Sequence, residues 1–149
     1  MKIAVPLALA VAMSTVSVPS FAQFQKPEDA VKYRKAALTV MGNHFSRIGA
    51  MANGRVPFDA KVAAENAAIV ETMSKLPWAG FAAGTDKGDT AALPAIWTEQ
   101  ARFNDGANKL QAAATQLSAA AKTGNLDAVK TAFGATAQTC KACHDAFRK

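Results

Sequence analysis

From Pro27 onward, apolar residues recur at alternating spacings of three and four, the period of one face of an α-helix. The first seam reads Val31, Arg34, Leu38, Met41, Phe45, Ile48 and Ala52, opened by Lys26-Pro27-Glu28-Asp29 and closed by Asn53-Gly54. Proline fits a first helical turn, and the two acids suit the positive end of the helix dipole. A second helix begins near Asp59 and carries Val62, Asn66, Ile69, Met73 and Leu76 before Pro77. The third follows Pro94 with Ile96, Gln100, Phe103, Ala107, Leu110, Ala114, Leu117 and Ala121, and stops at Gly124-Asn125. Leu126, Val129, Phe133, Thr136, Cys140, Cys143 and Phe147 define the fourth. Four seams joined by two short links predict an all-α fold, an antiparallel up-down four-helix bundle. The remaining link, Pro77 to Pro94, is long for a bundle, and its Trp78 and Phe81 are expected to dock on the core or on a ligand.

This pattern leaves out the start of the chain. Lys2 precedes a stretch, Ile3 to Val18, that is apolar apart from Pro6, Ser14, Thr15 and Ser17, and Ser20-Phe21-Ala22 follows. A basic start, a short apolar core and small residues at the cleavage positions read as a secretory signal over residues 1–22. The apolar core is too short to favour a membrane anchor. The mature domain is then Gln23 to Lys149, one core's worth of chain in an exported compartment, the periplasm. Without Lys2, sixteen basic residues face eleven acidic ones. They are interspersed and lack aromatic interleaving, which argues against nucleic acid as a partner and for a solvated surface.

The chain's two cysteines and one of its two histidines fall within five residues, in "TCKACHDAFRK" at the C-terminus. Cys140, Cys143 and His144 lie at i, i+3 and i+4, so a helix projects all three from one face. Cys-x-x-Cys-His at this spacing reads as covalent haem c attachment: each thiol adds to a vinyl group and the adjacent imidazole reaches the iron. A thioredoxin-like pair would open a helix after a strand, and a structural zinc needs four ligands, so both fit less well. His44, the other histidine, lies off the first seam and reads as a surface residue.

The terminal "CKACH", together with "KPEDAVKYRKAALTVM", "LPWAGFAAGT" and "CHDAFRK", resembles cytochrome c′, the class II c-type cytochromes, over the whole mature chain. Cytochrome c′ is itself a standard example of the four-helix bundle, so the resemblance and the periodicity agree on the fold. The resemblance implies thioethers at Cys140 and Cys143 and His144 as proximal iron ligand, with Arg148 four residues later tuning the site or meeting a propionate. Related six-coordinate cytochromes place an iron-binding methionine four residues after an arginine of the first helix. Here that position, four after Arg34, is Leu38, which has no donor atom. Arg34 on an apolar seam needs a partner, either a haem propionate or solvent reached by snorkelling. Trp78 and Phe81 resemble the aromatics that close the family's haem pocket. Met41, on the same seam, is read as core filler that could reach the iron only if the helix shifted.

These readings lead to a five-coordinate haem c protein binding NO and CO at a vacant apolar face, with NO buffering or electron transfer as its use. No distal acid-base pair suggests an enzyme. The alternative is a six-coordinate electron carrier. The resemblance also implies a homodimer; the redox partner is not legible.

Overall fold

The computed structural model describes residues 23–149; the segment read as a signal, residues 1–22, lies outside the described residues. Helix α1 spans Pro27–Ala52, α2 Ala60–Met73, α3 the single turn Ala95–Thr98, α4 Gln100–Lys122 and α5 Leu126–Phe147. A 3₁₀ turn, Pro77–Phe81, precedes α3. Helices α1, α2, α4 and α5 form the four-helix bundle.

Local chemistry explains where the helices start and stop. The Asp59 carboxylate accepts from the Val62 amide at 3.0 Å and caps α2, and Asn125 caps α5 through the Ala128 amide at 3.0 Å. Gly54 and Gly124, both at φ 68°, turn the chain after α1 and α4 in a conformation that favours glycine. The third expected helix is divided. Glu99, at φ −116° and ψ 44°, separates the turn α3 from α4.

Packing runs α1 to α2 to α4 to α5, whereas α1 and α5 touch only sparingly. The main core joins Met41 and Ile48 of α1, Ala67 and Val70 of α2, Leu110, Ala114, Leu117 and Ala121 of α4, and Val129 of α5. A smaller cluster of Ile96, Phe103 and Phe147 closes one end of the bundle. Trp78 packs against both clusters and bridges them. Where α1 does meet α5, the Phe45 and Phe133 rings stack at 4.4 Å and Gly49 leaves them room.

The seam of α2 is rotated from the expected one. Ala63, Asn66, Ala67 and Val70 are buried, while Val62 is 39% exposed and Leu76 38%. Small Ala63 and Ala67 take inward positions beside Val70, while Val62 and Leu76 turn outward and Met73 still packs against the core. Asn66 is then buried and needs hydrogen bonds. Its Nδ2 donates to the Val62 carbonyl at 2.7 Å, and its Oδ1 lies 2.8 Å from Nδ1 of His44. His44 is therefore not a simple surface residue: it is half-buried and links α1 to α2. Among the described residues no helix is long and apolar enough to cross a membrane.

Two substitutions test this packing. A Cβ at position 49 would lie 2.7 Å from Cζ of Phe133, whereas one at Gly134 meets nothing within 4 Å. Thermal unfolding should show Gly49→Ala lowering Tm and Gly134→Ala raising stability by up to about 1 kcal/mol, the helical cost of glycine.

Candidate functional site

The last two turns of α5 place Cys140 and Cys143 half-buried and His144 exposed. Cys140 packs against the main core, as Leu38 and Trp78 also do, and Cys143 packs on the end cluster of Ile96, Phe103 and Phe147. Both thiols are free. Burial raises the pKa of each, and the neighbouring Cys143 raises that of Cys140 further, so both stay protonated. Loss of solvent around the ring, then the Arg148 cation, lowers the His144 pKa against an opposing effect of Asp145. The imidazole is thus favoured in its neutral form, the form that binds metal.

This donor set fits haem c. Two unoxidised thiols a helical turn apart face apolar side chains, with a neutral imidazole beside them, and the sparse α1–α5 contact is where a flat group can enter with least disruption. Cys140 and Cys143 would hold the macrocycle and His144 the iron. On α1, Leu38 is half-buried against the main core, and Met41 is inside it at 7% exposure.

Arg34 is 2% exposed. Its partners are not at the bundle end, as snorkelling would require, but in the long link. Nη1 donates to the Gly80 carbonyl at 2.7 Å and to Thr85 Oγ1 at 2.8 Å. Nη2 donates to the Thr85 carbonyl and to Thr90 Oγ1, both at 2.8 Å. These four bonds use every N–H on the two terminal nitrogens, so a propionate is not required to satisfy the charge and only Nε–H is left to offer one. The guanidinium also lies 4.4 Å from the Phe81 ring centroid. Gly80 permits this approach, since a Cβ there would lie 2.8 Å from Cβ of Arg34.

Trp78 and Phe81 dock where the 3₁₀ turn puts them. The Trp78 indole N–H donates to the Ser74 carbonyl at 2.6 Å, and both rings meet Phe103 edge-on, at 5.7 and 4.9 Å. Phe103 in turn meets Phe147 at 5.4 Å. Arg148 departs from expectation in its backbone. Its N–H still closes the helical bond to the His144 carbonyl at 3.0 Å, but its own backbone is extended, at φ −129° and ψ 139°, and its charge reaches the imidazole.

Three parts of the site escaped the sequence reading. Thr85 and Thr90 carry no local signal in the sequence, and their role follows only from Arg34. Trp97, whose Nε1 donates to the Ala82 carbonyl at 3.0 Å, holds the link from the other side. Gly106 sits inside α4, where a Cβ would lie 2.9 Å from Sγ of Cys143. A lone glycine in the interior of an alanine-rich helix was the available signal.

Comparison with known proteins fits this geometry. A family model described as Cytochrome C' matches residues 29–148. The cytochrome c′ of Rubrivivax gelatinosus is 54% identical over 128 residues, covering 85% of this chain and 99% of the relative. Its crystal structure aligns with a TM-score of 0.83 over 85% of this chain and 100% of that one. A leucine-to-alanine variant of cytochrome c prime from Alcaligenes xylosoxidans, solved as a nitric oxide complex, is 46% identical with a TM-score of 0.80, covering 85% and 98% of the two chains.

Two outcomes are expected. Gly106→Ala crowds Cys143 and should lower the yield of covalently bound haem, read from pyridine haemochrome spectra and intact mass, while Gly134→Ala leaves it unchanged. Arg34→Met strands the acceptors in the link and should cost about 3 kcal/mol or more in denaturant unfolding.

Proposed function

The chain belongs to the cytochrome c′ family, whose members bind haem c, and on that premise we propose that it is a periplasmic haem protein that takes up NO and CO at an open, apolar iron face. The observation that carries this reading is the character of the α1 side chains. Leu38 offers no donor atom, and the nearest candidate ligand along the helix, Met41, is enclosed in the main core beside Ile48 and Val70. His44 is engaged with Asn66. Haem held by Cys140 and Cys143, with His144 on its iron, would supply a metal able to take a small ligand.

An apolar surround sets which ligand binds well. O₂ gains most from a nearby hydrogen-bond donor, which Leu38 lacks, whereas NO and CO depend less on one. The nitric oxide complex solved for the Alcaligenes xylosoxidans relative supports NO as a ligand here. The role that follows is NO buffering, with electron exchange as a secondary use, rather than enzymatic turnover.

Export and assembly belong to the same proposal. The family match starts at residue 29, and the Rubrivivax gelatinosus relative aligns along 99% of its own length while covering 85% of this chain. Both agree with a signal over residues 1–22 removed after Ala22. Exposed Val40 on α1 and Val62 on α2, at 40% and 39%, support pairing of two copies through these helices.

Optical titration of the reduced protein tests the open site. The expected spectrum is high-spin and converts on adding CO. A low-spin spectrum unmoved by CO would mean that a protein side chain fills the sixth position, making the protein a six-coordinate electron carrier. Leu38→Ala should raise CO affinity about tenfold, roughly 1.4 kcal/mol, by relieving crowding; unchanged affinity would remove Leu38 from the ligand's path.

A further inference from the structure

The exposed His144 has no hydrogen-bond partner for its ring among the described residues. Metal-binding histidines are usually held in orientation by such a partner. Here the ring's placement depends on the backbone of the last helical turn, the part of a helix most prone to fray.

That turn is tied down from outside. Leu93 N–H donates to the Phe147 carbonyl and Lys149 N–H to the Ala91 carbonyl, each at 2.9 Å, which makes an antiparallel bridge between Ala92 and Arg148. Arg148 N–H in turn donates to the carbonyl of His144 at 3.0 Å. Residues 91–93 therefore form a clip on the end of α5. The clip is fixed at its base by Thr90, whose hydroxyl oxygen accepts from Arg34 Nη2 at 2.8 Å and from the Ala92 amide at 3.1 Å. A hydroxyl has two lone pairs, and both are used.

We propose that Thr90 is a positioning residue for the haem site: it joins the buried Arg34 of α1 to the clip that holds the end of α5 carrying His144. The connection runs from Arg34 through Thr90, Ala92 and the bridge to the His144 carbonyl, and every link is a hydrogen bond or one or two residues of chain. Through it, the helix bearing Leu38 and the helix bearing the iron ligand share one anchor. The loop is thus part of the site although none of its residues from 90 to 93 carries metal-binding chemistry. This inference rests on His144 being the iron ligand, as proposed above.

The test uses the haem-loaded protein and three variants. Thr90→Val keeps the shape and removes the acceptor, Thr90→Ser keeps the acceptor, and Thr85→Val removes a different Arg34 partner without touching the clip. Amide hydrogen exchange at Leu93 and Lys149 reports the clip, and the iron–imidazole stretching band of the reduced protein reports the ligand. Thr90→Val is expected to speed exchange at both amides at least about tenfold, equivalent to ~1.4 kcal/mol of lost protection, and to shift or broaden the band. Thr90→Ser should restore both readouts, and Thr85→Val should lower Tm while leaving both near the parent values. A Thr90→Val protein that matches its parent in exchange and in the band would overturn the inference, as would the same response from Thr85→Val. Absence of the band in the parent protein itself would overturn the open-iron reading together with this one, a distinct result.

Discussion

A guanidinium that is almost wholly enclosed has to find acceptors, and in this fold that need decides the course of the long inter-helix link. Arg34 stands on an otherwise apolar seam, where an unpaired charge would cost several kcal/mol. Gly80, Thr85 and Thr90 supply four bonds to it from residues 46 to 56 positions away. Meeting them brings the 3₁₀ turn against α1, seats Phe81 under the charge, and lets Trp78 bridge the two apolar clusters. Bonds to a charged donor are stronger than neutral ones, so a segment with little regular structure gains a fixed shape.

The candidate haem site lies at the junction this creates. Helix α5 packs broadly on α4 and only sparingly on α1, so its last turns carry the cysteines along a less tightly closed side of the bundle. Covalent attachment suits such a place, because thioether bonds do not rely on a preformed pocket to retain the group. Small residues permit the approach: Gly106 makes room for Cys143 in the same way that Gly80 makes room for Arg34. Burial raises the pKa of both thiols, and loss of solvent together with Arg148 lowers that of His144, so the local electrostatics favour a neutral imidazole, the form able to ligate a metal.

The two helices that bound the site differ in chemical character. The α5 side offers thiols and an imidazole. The α1 side offers Leu38 and keeps Met41 in the core, since a thioether side chain gains more from filling that interior than from reaching outward. An apolar surround discriminates among diatomic ligands by withholding hydrogen bonds, and it needs no moving part to do so.

Much of this was legible in the chain because it is local. Helical periodicity, the start of α2 near Asp59, the glycines that end α1 and α4, and the spacing of Cys140, Cys143 and His144 each depend on residues within one or two turns. The rest was not legible because it depends on which surfaces meet. The rotation of α2 puts Ala63 and Ala67 on its buried face, and alanine is too weakly hydrophobic to reveal a seam by itself. His44 looked exposed until a buried Asn66 on another helix required a partner. Arg34 was recognisable as a seam charge in need of a partner, but the sequence suggested only a propionate or solvent, and the partner is the loop. The sequence alone determined that a helix would carry Cys140, Cys143 and His144 on one face; tertiary structure decided what holds the end of that helix still, since hydrogen bonds between distant segments form only once packing has excluded water from them.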